Sequence, residues 1–217
     1  MAVELPMLTS PAPAAEDRAA LVRRARMLAW LGVGWHVIEA AIAILAGLAA
    51  SSIALVGFGA DSLIESAAGF IVLWRFAAAR STSPAAERRA QQLIAISFYV
   101  LAAYVAIEAT RSLIGGDEPA TSWVGIGLAA FTAATMPPLA MAKARVGAKL
   151  NSSATTSEGR QNMLCAYLSL ALLAGLGANA LLGWWWADPL TALAIAVVAL
   201  REGRDAWRGE DPSCACC

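Results

Sequence analysis

Six apolar segments, each close to the length that crosses a lipid bilayer, constrain this 217-residue chain more than any other feature. The hydrocarbon core is about 30 Å thick, so a spanning helix needs roughly 20 predominantly apolar residues. Backbone groups inside lipid must find partners within the segment, which favours helices. The sequence therefore predicts an all-α membrane protein with six transmembrane helices, over residues 27–48, 52–78, 91–114, 122–142, 153–182 and 187–200. The last segment is short, and we expect its helix to continue through residues 201–207.

Positive charge is distributed unevenly between the connections. Of the 16 Lys and Arg residues, all except Arg111 and Arg160 precede the first span, follow the sixth, or flank the second-to-third and fourth-to-fifth connections. Cytoplasmic loops of membrane proteins carry such an excess. The asymmetry predicts that both termini lie in the cytoplasm. Trp184, Trp185 and Trp186 then fit an aromatic belt at the outer interface.

The composition agrees with a membrane protein and excludes some partners. Only 15% of the residues are charged, against about 25% in soluble domains. The formal net charge is zero and a basic face is absent, so we expect no nucleic-acid partner. We divide the chain into a disordered cytoplasmic tail (1–26), a six-helix transmembrane domain (27–205) and a cytoplasmic cysteine-containing tail (206–217).

Two acidic residues lie in the middle of the second span. Asp61 and Glu65 are four residues apart, so both project from the same side of a helix. A charged carboxylate at membrane depth costs at least a few kcal/mol, and such residues usually mark ion or proton sites. The pair predicts a cation site. The alternative is a structural link in which the acids pair with an arginine such as Arg160 or Arg111.

The fifth span carries a second row of polar residues. Glu158, Gln161 and Cys165 follow i, i+3, i+7 spacing, which keeps them on one side of the helix. Oxygen and sulfur donors facing Asp61 and Glu65 would suit a borderline-soft divalent metal. The row alone is weaker evidence, because polar residues also join transmembrane helices by hydrogen bonds.

The first and third spans contain further polar pairs. His36, the only histidine, and Glu39 are i, i+3 neighbours that fit an accessory ligand pair or a proton relay. The alternative for His36 is a packing residue with a satisfied hydrogen bond. Glu108 and Arg111 have the same spacing near a helix end, and we expect a structural ion pair there.

Three thiols crowd the C-terminus. In a reducing cytosol Cys214, Cys216 and Cys217 would stay unpaired and could capture a soft metal ion. Zinc sites normally use four ligands at defined spacing, so this cluster is an incomplete match. An unstructured end with incidental thiols is the alternative.

Several segments resemble the cation diffusion facilitators, six-span antiporters of divalent metals. The resemblance rests on GLAASSIALVGFGADSLIES (47–66), continues through SATTSEGRQNMLCAYLS (153–169) and GWWWADPLTALAIA (183–196), and covers residues 27–205. It implies a cation-diffusion-facilitator-like bundle. Asp61 and Glu65 fall where the family commonly has Asp or His and then Asp.

The chain departs from the family pattern in the fifth span. The family usually has His and Asp four residues apart, where this chain has Gln161 and Cys165. The ligand set that the resemblance implies is therefore Asp61, Glu65, Gln161 and Cys165, joined by Glu158. The family's usual cytoplasmic domain, which helps in dimerisation and metal sensing, is also expected to be missing. A homodimer is a possible partner arrangement under this resemblance.

The leading hypothesis is a divalent-metal transporter that exports a transition metal from the cytoplasm in exchange for protons. Zn, Co, Cd and Fe(II) are candidates, with zinc favoured and no organic cofactor expected. The expected location is a bacterial-type inner membrane, with lipid, metal ions and protons as partners. A non-transporting, membrane-embedded metal-binding or regulatory protein is the alternative. An intramembrane enzyme would need a nucleophile with a matched base or a metal-bound water, and apart from Cys165 and His36 no motif supports one.

Overall fold

The computed structural model describes residues 15–77, 84–116, 118–150 and 152–208. Within these ranges the chain forms six helices and no strand, in agreement with the predicted all-α architecture. The helices are α1 (Ala15–Ala50), α2 (Ile53–Ala77), α3 (Pro84–Gly115), α4 (Trp123–Leu150), α5 (Ser153–Leu182) and α6 (Ala187–Arg208).

Three helices extend well beyond their apolar segments. α1 begins at Ala15 instead of residue 27, α3 begins at Pro84 instead of residue 91, and α4 ends at Leu150 instead of residue 142. The added turns are rich in Ala, Arg and Lys, which favour helices in water as well as in lipid. The part of the predicted disordered tail from residue 15 to 26 is therefore helical, and residues 1–14 lie outside the described residues.

Two consecutive prolines lie inside α4. Proline removes backbone donors, so the sequence around Pro137 and Pro138 suggests a kink or the end of the fourth helix. The helix does not end there: it continues through both residues to Leu150. Prolines are tolerated in transmembrane helices where neighbouring groups satisfy the freed carbonyls.

The helices pack most extensively as three pairs, α1 with α2, α4 with α5, and α3 with α6. α2 also contacts α3, α5 and α6, and α1 also contacts α4. Backbones approach closely between α1 and α2, because a Cβ added at Gly47 would lie 2.8 Å from the amide nitrogen of Val56. Buried apolar side chains from all six helices pack into one core.

The first turn of α6 is attached to the start of α2. The Ser52 hydroxyl donates to one carboxylate oxygen of Asp188, and the other oxygen accepts from the Ala54 amide at 3.3 Å. Ser52 in turn accepts from the Leu55 amide at 3.1 Å. Asp188 is buried and so caps the first turn of α2 from another helix. This is the structural role of the Asp-Pro dipeptide at the start of the last span.

The outer surface of the bundle is suited to lipid. Within the described residues, the helices long and apolar enough to cross a membrane are found at Arg18–Ala50, Ala95–Gly115, Trp123–Leu150 and Glu158–Leu182. Large apolar side chains such as Leu45, Ile114 and Leu181 are more than two-thirds exposed. Such exposure is unfavourable in water and expected in hydrocarbon. Trp184 and Trp186 stack with ring centroids 5.2 Å apart.

Candidate metal centre

A buried histidine on α1 lies between two carboxylates. His36 Nδ1 is 3.2 Å from Glu39 Oε2 on the same helix and 3.1 Å from Glu65 Oε2 on α2. The i, i+3 spacing puts His36 and Glu39 on one face of α1, and that face packs against α2. All three side chains are buried. The His36 and Glu39 pair of the first span thus forms one cluster with Glu65 of the second span.

A thiol from α5 completes this cluster. Cys165 is fully buried, and its Sγ donates a hydrogen bond to Glu39 Oε2 at 4.0 Å. One donor atom each from His36, Glu65 and Cys165 lie within 4.8 Å of one another. Ligands of a tetrahedral zinc ion are roughly 3.3–3.8 Å apart, given metal–ligand bonds of about 2.0–2.3 Å. Small side-chain movements would bring the nitrogen, oxygen and sulfur donors onto one ion.

Glu39 is anchored by hydroxyl groups from two other helices. Thr132 of α4 donates to Oε1, and Ser62 of α2 donates to Oε2 at 3.1 Å. Glu39 is completely buried. Charge-assisted hydrogen bonds of this kind are stronger than neutral ones and fix the carboxylate in place. Glu39 therefore joins α1, α2 and α4 next to the three donor atoms.

Asp61 lies one helical turn before Glu65 and is also buried, but it is not part of the compact group of donors. The charges that act on it most strongly are those of Glu202 and Glu39. Arg160 interacts with Glu202, and Arg111 pairs with Glu108 at 2.9 Å on the surface, as expected.

The other two residues predicted on α5 have different surroundings. Glu158 forms a buried ion pair with Lys143 of α4, with Nζ and Oε1 2.6 Å apart. Gln161 is half-buried. Among the described residues of α5, the hydrogen bonds to the cluster come from Asn162, which contacts His36, and from Cys165, which contacts Glu39. Cys214, Cys216 and Cys217 lie outside the described residues.

Sequence reasoning missed the role of Lys143. The apolar segment ends at residue 142, so the sequence places Lys143 in the connection between the fourth and fifth spans. The helix instead continues to Leu150, and the side chain of Lys143 is only 1% exposed. The spacing of Thr132, Met136 and Lys143 is a usable signal, because it places all three residues on one helical face. In the structure all three side chains are buried.

Glycine at position 32 makes room for the Lys143 ammonium group. A Cβ added to Gly32 would lie 2.5 Å from Lys143 Nζ, whereas one added to Gly34 would meet nothing within 4 Å. We expect Gly32→Ala to lower the stability of the protein by about 1–3 kcal/mol through overpacking. Gly34→Ala should be neutral or stabilising by up to about 1 kcal/mol, because alanine favours helix. Thermal unfolding of both variants checks this, and equal midpoints would contradict the observed packing.

Two comparisons with known proteins identify the family of this chain. Residues 29–208 match the family model described as the cation efflux transmembrane domain. A protein of Synechocystis sp. described as an uncharacterized transporter is 23% identical over 189 residues, which cover 83% of this chain and 61% of that protein. The chain thus spans about three-fifths of the length of this curated relative.

Proposed function

Because this chain belongs to the cation efflux family, whose transmembrane domain matches residues 29–208, we propose that it carries a divalent transition-metal cation across the membrane. The family match and the apolar helices make it an integral membrane protein. The resemblance to the cation diffusion facilitators is confirmed by the match. A transport family gives no support to an intramembrane enzyme.

The observation that carries the proposal is the convergence of His36, Glu65 and Cys165 from three different helices. Imidazole, carboxylate and thiolate are the ligands that zinc prefers, and thiolate favours soft ions over magnesium or calcium. We therefore assign zinc as the favoured substrate, with cobalt, cadmium and Fe(II) as competitors. Asp61, one turn away, is proposed as a further oxygen ligand while the metal crosses the membrane. Gln161 and Glu158 of α5 are proposed to contact the metal before or after it occupies the centre.

Ligands must be deprotonated to bind a metal, so binding releases protons and weakens as the medium becomes more acidic. This property supports exchange of the metal for protons. Since the donors come from α1, α2 and α5, a rocking movement of these helices relative to one another would open the site to either side of the membrane. The distribution of Lys and Arg supports a cytoplasmic location for both termini, and hence export through a bacterial-type inner membrane.

Uptake of zinc into everted membrane vesicles with an imposed proton gradient tests the proposal. We expect uptake by the native protein, and a loss of at least about tenfold in Asp61→Asn, which keeps the shape of the side chain but removes its charge. Glu108→Gln is the matched control, because it removes a surface carboxylate. Native-like uptake by Asp61→Asn would reject the role of Asp61, and absence of uptake by the native protein would reject transport.

A second function, a membrane-embedded metal-binding or regulatory protein that does not transport, is favoured by one observation. Gln161 and Cys165 stand where the family usually has His and Asp. Flux separates the two functions, because this alternative requires tight zinc binding by the purified protein without movement of zinc into proteoliposomes.

A further inference from the structure

Asn162 of α5 connects the metal centre to the buried ion pair of Lys143 and Glu158. Its Oδ1 lies 3.0 Å from Lys143 Nζ, and its Nδ2 lies 3.2 Å from His36 Nε2. Asn162 is almost completely buried. Lys143 thus contacts two residues of α5, Glu158 and Asn162, one turn apart. A rotation of the Asn162 amide would therefore change its hydrogen bonds with both His36 and Lys143.

The chemistry of these partners fixes the direction of each hydrogen bond. The ammonium group of Lys143 can only donate, so the atom of Asn162 that faces it must be the carbonyl oxygen. The thioether of Met136, 3.2 Å from Asn162 Nδ2, can only accept. Both neighbours therefore place the amide NH₂ towards His36, where it donates to Nε2.

The tautomer of His36 follows from this arrangement. In a neutral imidazole one nitrogen accepts and the other carries the proton. Because Nε2 accepts from Asn162, the proton is on Nδ1, which donates to Glu39 Oε2 at 3.2 Å, while Glu65 Oε2 lies 3.1 Å away. The nitrogen that faces the metal centre is thus the one that carries the proton.

We infer that Asn162 is a positioning residue that holds His36 in the Nδ1–H tautomer, so that metal binding through Nδ1 must reverse the hydrogen bonds of Asn162 and release it from Lys143. This inference deepens the proposed function and rests on it. A metal on Nδ1 leaves the ring proton on Nε2, which then faces the NH₂ group of Asn162. Rotating the amide would satisfy His36 but would turn the NH₂ group towards the ammonium group of Lys143.

Occupancy of the metal centre is therefore linked to the contact between α4 and α5. When the metal is bound, Lys143 keeps Glu158 as its partner and loses Asn162. The hydrogen bonds between α4 and α5 then differ between the metal-free and the metal-bound site. A two-state transport cycle requires such a difference. Asn162 is the residue through which the two arrangements are exchanged.

His36 is the only histidine of the sequence, so its tautomer can be read without assignment. Full-length protein labelled with ¹⁵N-histidine, and purified through a tag without histidine, gives one pair of ring nitrogen signals. In the metal-free protein with a neutral ring we expect Nδ1 protonated and Nε2 unprotonated. In Asn162→Asp the carboxylate accepts from both Lys143 and Nε2, so we expect the proton on Nε2. A native protein with the proton on Nε2 would overturn the inference, as would the same tautomer in both proteins.

Zinc titration of the same samples gives an independent readout. Asn162→Asp creates the carboxylate–histidine–metal arrangement that raises ligand basicity, so we expect zinc to bind at least about tenfold more tightly. Asn179→Asp, near the other end of α5, is the control for an added charge, and it should leave the tautomer and the affinity unchanged. Weaker zinc binding by Asn162→Asp would overturn the inference. Failure of the native protein to bind zinc would reject the proposed function while leaving the tautomer result to stand.

Discussion

Glu65→Gln is expected to weaken zinc binding by the purified protein by at least about a hundredfold. Glu65 is buried, its Oε2 lies 3.1 Å from His36 Nδ1, and its carboxylate lies within 4.8 Å of the donor atoms of both His36 and Cys165. It is therefore the carboxylate of the group of three donor atoms. The amide of glutamine has the same shape but no charge and is a much poorer ligand for zinc. Even the loss of an outer partner of a ligand typically reduces affinity by 10–100-fold, so the loss of a ligand should exceed that range.

Isothermal titration of the protein in detergent or nanodiscs provides the measurement, with zinc as the probe. Glu108→Gln is the matched control, since that carboxylate pairs with Arg111 at the surface and should not affect binding. Cys165→Ser should give a smaller loss for zinc than for cadmium, because sulfur favours the softer ion. A native-like isotherm for Glu65→Gln would show that Glu65 is not a zinc ligand. It would also reject the metal site formed by His36, Glu65 and Cys165.

The sequence predicted the six helices because the bilayer imposes one length on every span. Segments of roughly 20 apolar residues can be recognised without knowledge of their neighbours. The ends were less predictable: α1, α3 and α4 continue into charged sequence, where helix propensity instead of hydrophobicity sets the boundary. The buried position of Lys143 follows directly from the longer α4.

The candidate site was predicted in part. The i, i+4 spacing predicts that Asp61 and Glu65 lie on the same side of α2, and the Glu65 carboxylate lies within 4.8 Å of the Cys165 thiol of α5. The sequence did not show that His36 and Glu39 of α1 would join Glu65, with Glu158 instead paired with Lys143. Spacing within a helix defines a face, whereas the rotation of one helix against another depends on packing contacts. Gly47 of α1, close to the backbone of Val56, is one such contact and has no periodic signal.

The buried ion pair between Lys143 and Glu158 has a direct consequence for stability. The two side chains are 1% and 8% exposed, with Nζ and Oε1 2.6 Å apart. Removing one partner of such a pair leaves an uncompensated charge in a low-dielectric interior, which typically costs about 3–5 kcal/mol. Removing both charges avoids that penalty. The two single changes should therefore be more harmful than the double change.

We expect Lys143→Met to lower the thermal unfolding midpoint by roughly 6–20 °C, given about 2–4 °C per kcal/mol for a chain of this size. Methionine retains much of the side-chain volume, so the effect reports the lost charge. The double variant Lys143→Met/Glu158→Gln should recover most of the lost stability. Lys149→Met, which changes an exposed lysine of the same helix, is the control and should shift the midpoint by no more than about 2 °C. If Lys143→Met unfolded at the same temperature as Lys149→Met, the ion pair would not stabilise the bundle.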